Sequence, residues 1–240
     1  MEAPREDETL DELLRGQIRL YQPRRGARVS LDPLLLADFA GRAPVRRVVD
    51  LGCGSGVIAL ALARRGAEGL VGVEILPHMA ALARRNAALN GVDMTIVEGD
   101  LRRPDLLEPE SFDVAVANPP YAPKGRGRRP PAEDRALARQ EIACTIDDVV
   151  AAARRLLAPR GRFAVVFPAE RLGELTVVLA RHGLPPRLVR PVHSVADEPA
   201  RRVLVEGVRE HRGGVTLLPP LVVHERDRRT FTEEAARILG

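Results

Sequence analysis

A chain of 240 residues has room for one sizeable hydrophobic core and too little for two ordinary domains. Its 45% hydrophobic and 29% charged residues give a globular balance that excludes wholesale disorder, and no run approaches the roughly 18 apolar residues a membrane helix needs. The net charge is only +4, so the pI near 9.8 reflects guanidinium chemistry, Lys124 being the one lysine, and the excess is positional: residues 1–12 sum to −5 and residues 13–240 to +9. Six carboxylates and Arg5 among the first twelve residues are the reverse of a cationic export signal. Cys53 and Cys144 form neither a disulfide framework nor a metal-ligand set, and the expected location is cytosolic.

In chain order, Thr9 followed three residues later by Glu12 has the form of a capping box and predicts a short helix interrupted by Gly16. Residues 17–30, punctuated by Pro23 and Gly26, read as one or two short strands. Asp32 before Pro33 predicts a helix start in which the carboxylate caps the amides. From residue 46 apolar strands alternate with helices: strands at 46–52, 70–74, 94–100, 112–121 and 161–167, helices at 57–66, 77–91, 133–157 and 170–183, and two closing strands at 186–193 and 201–209. This alternation implies an α/β fold, a doubly wound, seven-stranded, mostly parallel sheet, and the short loop 194–200 implies an antiparallel hairpin at one edge. The expected organisation is a single domain with three parts. Residues 1–45 carry an N-terminal helix and a cofactor-covering segment, 46–208 the sheet domain, and 209–240 a tail packed on it.

In such sheets ligands bind beyond the carboxyl ends of the strands, where strand order reverses. Asp50, Glu74, Asp100 and Asn118 fall at those ends. Asp50-Leu51-Gly52-Cys53-Gly54-Ser55-Gly56 places three glycines at alternate positions, which permits a tight turn and close approach of a ligand to the backbone. The dinucleotide fingerprint would need glycine where Val57 stands, and the Gly-Lys-Ser/Thr run of a phosphate loop is absent. An acid in the same turn would repel phosphate but suits an ammonium or sulfonium group. Glu74, 24 residues on, can accept both hydroxyls of a ribose, and Asp100 can accept from an exocyclic adenine amine.

Strand four ends in Asn118-Pro119-Pro120-Tyr121. An exocyclic amide-like nitrogen is a poor nucleophile because its lone pair is delocalised. The Asn118 side-chain oxygen and the Pro119 carbonyl can each accept one N–H of such a group, Pro120 stiffens the turn, and Tyr121 offers a face on which a planar target can stack. The transfer needs no metal, and His78, His182, His193, His211 and His224 show no ligand spacing. Lys124, Arg126, Arg128 and Arg129 follow at once and read as a phosphate clamp for a flipped base; Arg15, Arg19, Arg24, Arg25 and Arg28 suggest a second basic patch.

The glycine motif with acids on successive strand ends resembles the class I S-adenosylmethionine-dependent methyltransferases. The Asn-Pro-Pro-Tyr motif is shared by adenine N6-methyltransferases and by protein-glutamine N5-methyltransferases acting on release factors. The whole chain is similar to the bacterial tRNA1(Val) adenine-37 N6-methyltransferase family. That resemblance rests on residues 10–14, Gln22, Gly26, 30–36, both site motifs, 138–141, 167–172, 219–222, Thr232 and Glu233. It implies S-adenosyl-L-methionine as cofactor, transfer to N6 of a tRNA anticodon-loop adenine, and tRNA as partner without metal or membrane. The release-factor enzymes carry an extra N-terminal helical domain, whereas about 45 residues precede the first strand here. A non-catalytic cofactor-binding RNA chaperone is a third reading, against which the intact Asn118 argues, and the oligomeric state is left open.

Overall fold

The computed structural model describes residues 3–25, 28–43, 45–119 and 144–239. Strands β1 (Glu8–Leu13) and β2 (Ile18–Pro23) form an antiparallel hairpin with Leu10 opposite Tyr21. The helix expected from Thr9 and Glu12 is therefore absent. The left-handed turn at Leu14, Arg15 and Gly16 closes the chain back on itself, and the Thr9 hydroxyl accepts from Arg28 instead of capping. A helix this short before a glycine has too few hydrogen bonds to offset its nucleation cost, whereas the hairpin gains a partner strand and a docking surface.

Helix α1 (Asp32–Ala40) follows, with proline in its first turn. The cap expected at Asp32 does not form: Leu31 is the N-cap, no side chain caps the helix, and the Asp32 carboxylate instead accepts from Arg202 Nε at 2.9 Å. The regular part consists of β3 (Val48–Leu51), α2 (Val57–Ala63), β4 (Leu70–Glu74), α3 (Pro77–Asn90), β5 (Met94–Glu98) and β6 (Phe112–Ala117). After residues 120–143 come α4 (Ile146–Leu156), opened by a Thr145/Asp148 capping box, and β7 (Leu157–Pro168). A 3-10 turn leads into α5 (Leu172–Arg181), then β8 (Pro186–His193) and β9 (Arg202–Val208).

The sheet order is β5-β4-β3-β6-β7-β9-β8, parallel except for β9, which runs antiparallel to both its neighbours. These are the seven strands expected. Two further two-residue strands, β10 (Thr216–Leu217) and β11 (Leu221–Val222), pair parallel with β8 and bring the sheet to nine. The tail ends in α6 (Glu233–Leu239), held by the Arg190–Glu234 ion pair at 2.8 Å.

Two cores flank the sheet. On one face α1, α2, α3 and α6 bury Leu36, Phe39, Ile58, Leu62, Ala83 and Ile238; on the other α4 and α5 bury Leu156, Leu179, Phe163 and Phe167. The hairpin docks on α3 through side chains. Asn90 accepts the Arg19 amide (2.9 Å) and donates to the Arg19 carbonyl (2.7 Å), and Asn86 does the same at Tyr21 (2.8 and 3.2 Å). Four residues apart on one helical face, the two amides present donors and acceptors as a neighbouring strand would, satisfying an edge that would otherwise lie buried and unpaired.

Candidate active site

The parallel register brings the predicted residues to one edge. Asp50 on β3 lies opposite Gly72 on β4 and Val116 on β6, and Glu74 lies opposite Glu98 on β5. Asp100 stands two residues beyond β5 and Asn118 one residue beyond β6, so all four acids and amides sit at the carboxyl ends of adjacent strands. The order reverses between β3 and β6, where the chain first winds outward through β4 and β5 and then returns to the other side. That reversal opens a crevice, and the glycine loop and Asn118 flank it.

Gly52, Gly54 and Gly56 all adopt positive φ, at 76°, 54° and 82°. A Cβ on Gly52 would meet nothing within 4 Å, and one on Gly54 only Met79 Cε at 3.8 Å, so conformation and not crowding demands glycine there, and the backbone is open on that side. The amides of Gly52 and Cys53 donate to the Val73 carbonyl at 2.9 and 3.0 Å, splicing the loop to the end of β4. Glu74, 6% exposed, accepts the Gly54 amide on one oxygen and the Leu76 amide on the other, both at 2.9 Å. It is a fixed acceptor, and each oxygen keeps a second lone pair.

Asp50 is fully buried, and neither carboxylate oxygen has a hydrogen-bond partner. Burial pushes its carboxyl up to about 8, the nearby Glu74 charge adds to the effect, and the Ala59 amide opposes it weakly. An orphaned buried carboxylate is costly in isolation and becomes favourable when a cationic ligand group is placed beside it. A loop with open backbone, a fixed carboxylate acceptor and an orphaned acid together fit S-adenosyl-L-methionine, which carries a sulfonium and an ammonium.

Asp100 is engaged differently from the expectation. Arg102 donates Nε to both its oxygens at 2.9 Å and its own amide to Oδ1 at 2.9 Å, and this guanidinium holds the Asp100 carboxyl below the usual range. Asn118 is half-buried and Pro119 buried at the end of β6. Pro120, Tyr121, Lys124, Arg126, Arg128 and Arg129, and the 138–141 segment, lie outside the described residues. The second basic patch does not assemble as one surface. Arg19 donates to the Leu89 carbonyl, Arg24 to the Glu6 carbonyl, and Arg28 pairs with Asp11. Tyr21 is 2% exposed beneath the Arg85 guanidinium, so it is core and no stacking platform.

Sequence reading missed Asn86. It is fully buried, and besides gripping Tyr21 it donates to the Ser55 carbonyl at 3.0 Å, tying hairpin, α3 and glycine loop together. The signal was present: two asparagines at i and i+4 on the inward face of an alanine-rich helix. A cleft of about 740 Å³, lined by Leu14, Arg15, Ala61, Arg64, Arg237 and Ile238, lies at the far end of α2 from the glycine loop and holds none of the site residues. Among the described residues no group of three His, Cys, Asp or Glu side chains could hold a metal ion, and no helix is long and apolar enough to cross a membrane.

Known proteins are similar to this chain in sequence and fold. The model of the family described as methyltransferase small domain matches residues 31–182. A curated tRNA1(Val) (adenine(37)-N6)-methyltransferase from Aeromonas hydrophila subsp. hydrophila is 35% identical over 79% of this chain and 80% of its own. One of the same description from Porphyromonas gingivalis is 32% identical over 75% and 73%. Among solved structures, an Agrobacterium tumefaciens protein described as an O-methyltransferase superposes with a TM-score of 0.67 at 23% identity, covering 86% of this chain and 94% of that one. At that identity the match speaks for the fold.

Proposed function

Because the chain belongs to the methyltransferase small domain family, within the tRNA1(Val) (adenine(37)-N6)-methyltransferase group, we propose that it methylates the exocyclic N6 of an RNA adenine, adenine 37 of a tRNA anticodon loop. The observation that carries the reading is the position of Asn118-Pro119 at the end of β6, beside the glycine loop at the point of strand-order reversal. Bound S-adenosyl-L-methionine supplies an activated methyl on a positively charged sulfur.

The chain's own residues do the rest. Gly52 and Gly54 let the backbone approach the cofactor, Gly56 turns the chain into α2 against Met94 and Ala83, Glu74 accepts the ribose hydroxyls, Asp50 faces positive charge, and Asp100 accepts from the adenine amine by sharing its oxygens with Arg102. Asn118 Oδ1 and the Pro119 carbonyl accept the two N–H groups of the target, which fixes the nitrogen and turns its lone pair toward the methyl. Pro120 stiffens that turn and Tyr121 stacks on the flipped base. Lys124, Arg126, Arg128 and Arg129 hold phosphates beside the site. The Gln22 side chain accepts the Val29 amide at 2.7 Å, a pin that supports the cofactor-covering role of the N-terminal segment.

The test is incubation with labelled cofactor, unmodified tRNA and release factor, followed by mass spectrometry of nucleosides and peptides. The expected product is N6-methyladenosine in tRNA. Label confined to a release-factor glutamine, or absent from both, refutes the reading.

A further inference from the structure

Beyond the residues around Asn118, we propose that the tail loop between β11 and α6 is a second RNA-contact surface, in which Phe231 stacks on an unpaired nucleotide flanking the target while Arg226 and Arg229 take its phosphates. The inference rests on the RNA reading above and adds a site to it.

The first observation is scarcity. The chain has no tryptophan, and of its five phenylalanines Phe39, Phe112, Phe163 and Phe167 are buried at 6% exposure or less. Phe231 is 37% exposed and lies against His224 with ring centroids 5.1 Å apart and planes 26° from parallel, a half-open stack that a planar base would extend.

The second is rigidity. His224 and Phe231 form an antiparallel bridge, and the Glu225 amide donates to the Thr230 carbonyl at 2.8 Å. Asp227 accepts the Arg229 and Thr230 amides at 2.8 and 2.9 Å and the Thr230 hydroxyl at 2.6 Å, so the carboxylate stays ionised and is turned inward to fix the turn. Arg228 pairs with Glu198. Among the described residues the Arg226 and Arg229 side chains have no hydrogen bond or ion pair, and both are exposed; Glu225 is the loop's remaining exposed acid. A turn that engages its own aspartate in backbone hydrogen bonds and leaves two unpaired arginines outward beside an aromatic face has the chemistry of single-strand RNA binding.

The third is position. Pro168 at the end of β7 and Val192 near the end of β8 both pair with Arg202, and β11 continues that level through Leu221 opposite Val192. Ala117 pairs with Val165 on β7, so the tail loop rises from the same edge as Asn118. From β6 through β7, β9 and β8 to β11 are four interstrand steps, roughly 19 Å. A stacked strand advances 3.4 Å per nucleotide, so one stem–loop reaches both places over about six nucleotides.

The probe is an unmodified anticodon stem–loop RNA, titrated with the full chain across a salt series. Phe231→Leu keeps apolar packing and removes the stacking face; it should raise the RNA dissociation constant at least about fivefold. Arg226→Gln with Arg229→Gln should flatten the salt slope by about one to two. In both variants kcat at saturating RNA and cofactor affinity should stay within twofold of the unaltered protein. RNA affinity and slope equal to those of the unaltered protein overturn the inference, as does a parallel loss of cofactor affinity, which would make the loop a structural brace. Failure of the unaltered protein to methylate RNA instead refutes the proposed function.

Discussion

Replacing Asp50 by Asn tests the electrostatic logic of the cofactor site in the cofactor-free protein. The substitution keeps shape and removes an ionisable group that is fully buried without a hydrogen bond. Its carboxyl stands at about 8 against an ordinary 3.8, because burial and then Glu74 disfavour the charge. A group whose folded pKa is raised binds more protons folded than unfolded, so stability is full below the unfolded value, falls as pH rises, and levels off above the folded value. At about 1.4 kcal/mol per pH unit the loss approaches roughly 5 kcal/mol by pH 8, an upper figure that relaxation and water entry reduce to a few kcal/mol. Urea unfolding of both proteins from pH 5 to 9 reads this directly. Asp50→Asn should be the more stable at pH 8, the difference shrinking toward pH 5. It should also bind cofactor at least tenfold more weakly, and the unaltered protein should release a proton on binding. Stability curves that run parallel across pH 5–9 refute the reasoning. His182, whose pKa burial lowers, gains stability as pH rises through 6.5, but it is common to both proteins and cancels in the difference.

Asn118→Ala should lower kcat by about a hundredfold or more, since alignment of the target nitrogen is the main source of rate, while the cofactor dissociation constant moves by less than about threefold; a comparable loss of cofactor binding would show the residue to be misplaced. Asn86→Ala strips hydrogen bonds from the Tyr21 amide, the Tyr21 carbonyl and the Ser55 carbonyl, and should cost about 2–4 kcal/mol in urea unfolding. A loss under about 0.5 kcal/mol would mean that water replaces the amide. Neutralising Arg126, Arg128 and Arg129 together should reduce the salt slope of RNA binding by about two to three, measured by filter binding, and an unchanged slope would assign that segment to plain solvated surface.

The parallel half of the fold was legible because each strand is a short apolar run bounded by turn residues and each helix carries its own period. The closing hairpin was equally plain from two strands with a loop too short for a crossover. What escaped reading depends on contacts distant in sequence. Residues 8–13 satisfy a local helix signal, yet their partner strand lies at 18–23 and that strand's other edge is paired by Asn86 and Asn90, about 70 positions away. Asp32 looks like a cap until Arg202, 170 residues on, takes its carboxylate. At the site, the strand-end positions of Asp50, Glu74, Asp100 and Asn118 follow from pattern alone. The orphaned state of Asp50 and the prior engagement of Asp100 by Arg102 are properties of packing, which no spacing encodes.

The same edge has to accommodate charges of opposite sign, and the structure separates them by depth. Asp50 and Glu74 are buried at the base of the crevice, where a cationic cofactor meets them at low dielectric and their fields reach solvent weakly. Asp100, the most exposed of the three acids, has its charge matched by Arg102. Arg226 and Arg229, on the tail loop that rises from the same edge, are exposed. A phosphate beside those arginines lies within the Debye length of about 8 Å and senses them directly. A polyanion can thus approach the site, where Arg102 matches Asp100 and Asp50 keeps its proton near neutral pH until a cationic ligand binds. The modest net charge of +4 is sufficient for that purpose because its distribution, and not its size, sets the local potential.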